Sequence, residues 1–196
     1  MPTGVALRDV REQLFDAADR ILLRSGPEAL TSRAVTVGAG CAKGVLHRHF
    51  TDFDTFLTEY VLDRSTRMDA QVLFLREAAG TGTVAGNVAA ALTALFDSVA
   101  VAIVALVTFR DGLRARLRET WPAGIPVLTR AAEILADYLE DERARGRIAA
   151  TADPATLGAI LIGTAHLLHA DRTGPAPTPD DLLRTVMAII PSVGPR

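Results

Sequence analysis

Cysteine, lysine and aromatic residues are scarce in this chain, and no apolar run is long enough for a bilayer. Cys41 is the single cysteine, which excludes an intramolecular disulfide and a multi-cysteine metal site. A lone thiol fits a reducing, cytoplasmic setting. The strongest apolar run, Val99 to Phe109, is 11 residues long, whereas a membrane-spanning helix needs about 20. It reads as a buried helix, and no membrane partner is expected. Arg8, Asp9, Arg11 and Glu12 interrupt any apolar run at the start, so no secretory signal is read there. Aromatics make up 5% of the chain against 49% hydrophobic residues overall, with Ala, Leu and Val dominant, which favours helices over strands. A net charge of −2 excludes a generally basic coat, so any nucleic-acid contact must come from a local patch. The sequence has no GxSxG, no P-loop, no GxGxxG after a strand and no HExxH, so an enzyme is not expected. Cofactors and metals are not expected either: His166 and His169 stand three apart, but no carboxylate or cysteine cluster accompanies them.

The local patch is residues 31–50, TSRAVTVGAGCAKGVLHRHF. It holds Arg33, Lys43, Arg48, His47 and His49 and no acidic residue, in a chain with 23 Asp+Glu. Lys43 is the only lysine. Thr31 can cap a helix, because its hydroxyl oxygen can accept an N–H from the first turn. Val35, with Ala34 and Ala39, gives that helix an inward face. Gly40 supplies a sharp turn, tolerating positive φ without steric cost, and Cys41 follows as a small plug. A second helix is predicted from about Ala42 to Phe50, anchored by Leu46 and Phe50 four residues apart. Lys43, Val45, His47 and Arg48 are left for a groove. This is the pattern of a helix-turn-helix. Its second helix suits the DNA major groove, which is about 12 Å wide. Lys43 and Arg48 can meet phosphates or guanine edges, Val45 a thymine methyl, and His47 or His49 a phosphate oxygen.

The rest of the chain reads as further helices: about Leu7 to Ser25 before the motif, then Asp54 to Ala79. GTGTVAG (Gly80 to Gly86) reads as a break. Helices ending near Phe96 and Arg110 follow, then a short one over GLRARLRE and another from Val127 to about Arg145. Asp153-Pro154 is a strong helix start, with Asp as cap and Pro at the first helical position; that helix should run to about Ala170. A last one begins at Thr178 or Pro179.

Residues 14–57 resemble the TetR family of bacterial transcriptional regulators, without a gap. LFDAADRILLRSG matches the family's first helix, TSRAV the start of the second, AGCAKGVLHRHF the turn and recognition helix, and DFDTFL the entry into the long fourth helix. Beyond them the likeness is one of length and helical texture. The resemblance implies an all-α chain: an N-terminal three-helix helix-turn-helix DNA-binding domain, residues 1–53, and a C-terminal helical effector-binding and dimerisation domain, residues 54–196. Thr31, Ser32, Arg33, Ala42, Lys43, Val45, His47, Arg48 and His49 are the expected DNA-contact set. There are departures. Thr36 stands where the family usually has alanine, Ala42 where Ser or Thr often opens the recognition helix, and His47 at the usual tyrosine. Phe53 stands where a lysine typically anchors a phosphate. These imply weaker or more salt-sensitive binding, or redistributed contacts.

A single helix-turn-helix covers few base pairs, and a two-fold dimer sets two recognition helices about 34 Å apart. The candidate dimer stripe is Leu157, Ile160, Leu161, Thr164, Ala165 and Leu168, with Ala131, Leu135, Tyr138 and Leu139 as a second face. The resemblance further implies a small-molecule effector that releases a repressor from a palindromic double-stranded operator. Its candidate wall is Met68, Val72, Phe74, Phe96, Val99, Ile103, Phe109, Trp121 and His166, which favours an apolar or aromatic compound. The alternative is a helical protein-interaction module of the same fold that has lost sequence-specific DNA binding.

Overall fold

The computed structural model describes residues 4–71, 73–170 and 176–190. Among them the chain is all α-helical, without a strand. The helices are α1 (Gly4–Ser25), α2 (Ser32–Gly38), α3 (Val45–His49), α4 (Phe53–Gln71), α5 (Leu73–Glu77), α6 (Val84–Phe96), α7 (Ala100–Phe109), α8 (Asp111–Thr120), α9 (Pro126–Ala144), α10 (Pro154–His169) and α11 (Pro179–Ile189). A 3₁₀ turn, Pro27–Ala29, lies between α1 and α2. The residues form two compact units: Met1–Asp63 with Ala102–Pro122, and Arg64–Val101 with Ala123–Arg196. The boundary expected at Phe53 falls inside the first unit, which takes in α8 as well as the motif.

The first unit concentrates the chain's few aromatics. Phe15 of α1 meets Phe50, Phe56 and Tyr60 at ring-centroid distances of 5.9, 5.6 and 5.7 Å. Phe50 packs edge-on to Phe56 at 5.1 Å. Rings bury large areas and prefer tilted or edge geometries, so this cluster anchors α1, α3 and α4 on one another. Tyr60 keeps its hydroxyl satisfied, donating to Asp19 at 2.5 Å. Asp52 caps α4: its carboxylate accepts the Thr55 N–H at 2.6 Å. The same carboxylate meets Arg116 of α8 at 3.0 Å. The Thr55 backbone and side-chain bonds, aided by Arg116, pull the Asp52 pKa down to about 2.

In the second unit α9 and α10 pack along their lengths. Gly158 permits the closeness, because a Cβ there would stand 2.5 Å from the Ala132 carbonyl oxygen. α11 begins with a capping box between Thr178 and Asp181. Glu142 of α9 is fully buried and faces Arg147. Its Oε1 accepts the Gly80 N–H at 3.0 Å and a guanidinium N–H at 3.3 Å. Its Oε2 lies 3.2 Å from the guanidinium without a hydrogen-bond partner, so that contact is ionic. Arg147 also donates to the carbonyls of Thr81 and Gly82. Asn87 joins Tyr138 to the same segment, at 2.9 Å from the tyrosine oxygen and 3.0 Å from the Thr81 carbonyl. Burial, and then the Glu142 carboxylate, push the Tyr138 pKa up to about 12.

The helix expected over Asp54 to Ala79 is described as α4 and α5, and two other starts differ from the sequence-based boundaries for a local reason. α6 starts at Val84, inside the expected Gly80–Gly86 break, because the Thr83 hydroxyl accepts the Gly86 N–H at 3.0 Å. α3 starts at Val45, not Ala42: alanine has no oxygen to cap the helix, and residues 42–45 form a turn closed by Val45 N–H to the Ala42 carbonyl at 2.9 Å.

Candidate nucleic-acid interface

The turn between α2 and α3 is built from backbone bonds that the sequence makes possible. Thr31 caps α2, its Oγ1 accepting the Ala34 N–H at 3.1 Å. At the other end Cys41 N–H reaches the Thr36 carbonyl at 2.9 Å and Gly40 N–H the Val37 carbonyl at 3.0 Å. These are the paired bonds of a Schellman motif, and they need a left-handed residue between them. Gly40 fills that place with φ +66°. Thr36 is buried, and its hydroxyl donates to the carbonyls of Ser32 and Arg33 at 3.0 and 3.1 Å. The helix therefore accepts threonine where alanine was the expected type.

The turn leaves several basic side chains exposed. Arg33, Lys43, His47 and Arg48 are exposed, as are Thr31 and Ala42, while Ser32, Val45 and His49 are half-buried. Leu46 is fully buried and pins α3 from behind. Cys41 is half-buried, its sulfur 3.5 Å from the Ala39 carbonyl. His49 differs from the other contact candidates, because its carbonyl accepts from Arg11 of α1 at 3.4 Å.

Arg11 was not legible as part of this site. Its guanidinium lies 4.4 Å from the Phe50 ring centroid, within cation–π range. It is also ion-paired with Glu59 of α4. One side chain thus ties the C-terminal end of α3 to α1 and α4, and a cation near a helix C-terminus is favourable. Arg20 donates to the Gly38 carbonyl at 3.0 Å, closing the far end of α2. Arg110, the residue before α8, donates to the Leu30 carbonyl at 2.8 Å. Phe53 stacks on Phe56 at 5.6 Å, and the Arg110 guanidinium lies 5.7 Å from its ring centroid. The arginine pairings join residues 18 to 80 positions apart, and no local spacing in the sequence announces them.

The expected effector-wall residues fall in both units. Met68 lines a narrow, wholly apolar slot in the second unit with Leu75, Leu92, Leu95, Ile134 and Ile162, with a cavity volume of about 10 Å³. Phe96 and His166 are neighbours, 6.3 Å apart by ring centroids, and Phe96 stacks on His169 at 4.7 Å. His166 Nδ1 is buried without a partner, and burial followed by the charge of His169 lowers its pKa. Phe74 is exposed, Val99 is half-buried, and Val72 lies outside the described residues. Ile103 is buried in the first unit, where Trp121 is half-buried and Phe109 is exposed.

The dimer candidates divide. Leu135, Tyr138, Leu157 and Leu161 are buried in their own unit, and so are Ala131, Leu139 and Ala165. Ile160 and Leu168 are exposed and Thr164 is half-buried. α10 is apolar on both sides, so its stripe alone could not tell the inner face from the outer one. Leu167, exposed by 73%, belongs to the outer face and was not among the candidates.

No family model matches the sequence, and no curated protein matches it. Solved structures do. A structure from Mesorhizobium loti assigned to the TetR family of transcriptional regulators superposes with a TM-score of 0.73 at 17% identity, covering 95% of this chain and 98% of its own. A second structure so assigned, from a Rhodococcus species, gives 0.69 at 18% identity, covering 92% and 96%. Escherichia coli NemR in its reduced form gives 0.70 at 16% identity, covering 93% and 98%. At these identities the likeness is one of fold: an N-terminal helix-turn-helix followed by a helical C-terminal part.

Proposed function

We propose that this chain is a DNA-binding transcriptional regulator, a homodimeric repressor released from a palindromic operator by a small, largely apolar effector. The observation that carries this reading is the exposure of Arg33, Lys43, His47 and Arg48 around a turn fixed by Gly40. In the functional division, residues 1–53 read DNA and residues 54–196 serve dimerisation and effector binding. α3 presents its N-terminal end and Val45 to base edges, while the cations serve phosphates and guanine. The regulators of like fold support the reading.

The second copy is proposed to dock on the outer face of α10. Ile160, Leu167 and Leu168 are exposed there by 44, 73 and 38%, and the small Ala159 and Gly163 allow close approach. The slot around Met68 is the proposed effector site. Its cavity volume is only about 10 Å³, far below the roughly 300–1,000 Å³ of pockets that hold drug-sized ligands. Such an occupant must part the lining helices, which gives it the differential affinity for two conformers that a population shift requires. Sedimentation of the chain with an operator duplex tests the reading. Two chains per duplex are expected, with binding lost in Lys43→Ala/Arg48→Ala and monomers in Leu167→Glu. Stoichiometric binding of one chain, indifferent to Lys43 and Arg48, would refute it.

A further inference from the structure

We propose that Arg110, which lies outside the helix-turn-helix, is a phosphate-contact residue of the DNA interface, gripping the backbone beside the start of α2. The proposal rests on the DNA-binding reading above. Three observations meet at this side chain. First, its Nη2 donates to the Leu30 carbonyl at 2.8 Å, which sets the guanidinium one residue from Thr31, the cap of α2. Second, the guanidinium lies 5.7 Å from the Phe53 ring centroid, and that ring is itself stacked on Phe56. The cation is therefore held from two sides and loses little freedom on meeting an anion.

Third, Arg110 makes no ion pair among the described residues. Its neighbours along α8 differ: Arg114 is paired with Asp111 and Arg116 with Asp52. A half-buried guanidinium that spends one donor on a carbonyl and has no carboxylate within ion-pair distance retains N–H groups for an anion. Of the chemistries that could supply one next to a DNA-reading turn, a backbone phosphate fits the planar fork best. Such a contact carries no sequence information and positions the motif instead.

The salt dependence of DNA binding tests this, because each neutralised phosphate contributes about 0.9 to the slope of log affinity against log salt. Fluorescence anisotropy with a duplex selected by the wild-type chain would be run from 50 to 200 mM salt for wild type, Arg110→Gln, Arg110→Lys and, as a control, Arg118→Gln. Both copies in the dimer lose the contact, so Arg110→Gln should lower the slope by about 1.8, and its affinity falls about 12-fold less than wild type over that fourfold range. Its loss should be equal on selected and unselected duplexes. Arg110→Lys should keep the wild-type slope, as should Arg118→Gln. A residue that only braces Leu30 would weaken binding without moving the slope. An unchanged slope in Arg110→Gln, with wild-type binding intact, overturns the inference alone. A wild-type chain that binds no duplex overturns the regulator reading and the inference with it.

Discussion

Removing Arg147 should unfold the second unit at a markedly lower temperature. The Glu142 side chain has 0% exposure and Arg147 has 25%, so this pair is shielded from solvent as the surface pairs are not. Arg147→Met keeps the stem but leaves the carboxylate buried with the Gly80 N–H and no cation. Breaking a buried pair from one side costs about 3–5 kcal/mol, chiefly because the remaining charge is uncompensated. In a chain of this size each kcal/mol moves Tm by about 2–4 °C, so a fall of about 6–20 °C is expected. The double variant Glu142→Gln/Arg147→Met should return to within about 1–2 kcal/mol of wild type, since a buried ion pair replaced as a whole is often near neutral. Thermal and urea unfolding followed by circular dichroism would give both values. A loss under about 1 kcal/mol in Arg147→Met would refute the reasoning, for that is the range of an exposed pair.

Three further outcomes follow from other sites. Gly44→Ser should raise stability by about 0.3 kcal/mol, because Gly44 is the N-cap of α3 and supplies no side-chain cap; a loss of stability would mean the cap position needs glycine. Gly158→Ala should destabilise by about 1–3 kcal/mol, its Cβ arriving 2.5 Å from the Ala132 carbonyl oxygen; an unaltered Tm would show that α9 and α10 can separate freely. Asp52 has a folded pKa of about 2 against an ordinary 3.8, so its contribution is present above pH 4 and lost as pH falls from 4 to 2. Asp52→Asn should flatten stability against pH in that window, and a wild-type-like profile would assign the acid sensitivity elsewhere.

The motif was legible because everything that makes it is local. Thr31, Gly40 and Leu46 each act within a few residues, and the structure gives the cap, the left-handed turn and the buried anchor at those positions. Asp153-Pro154 likewise starts α10, its carboxylate accepting the Ala155 N–H at 3.2 Å. The start of α6 was misjudged because a glycine-rich string reads as a break, while Thr83 capping Gly86 depends on backbone geometry. Arg11, Arg110 and the Glu142 pair act on carbonyls, rings and N–H groups far away in sequence, where residue type gives no sign of a partner. The two faces of α10 were not separable in the sequence: the helix is apolar on both sides, so burial alone separates Leu157 and Leu161 from Ile160 and Leu168.

Selection from a random-duplex pool at two salt concentrations, with the wild-type chain and Lys43→Ala/Arg48→Ala, tests the central claim most directly. The account predicts enrichment of a palindrome with half-sites about one helical turn apart, abolished in the double variant. Absence of enrichment, or only weak binding that vanishes with added salt, would contradict it and favour a protein-interaction module on the same fold.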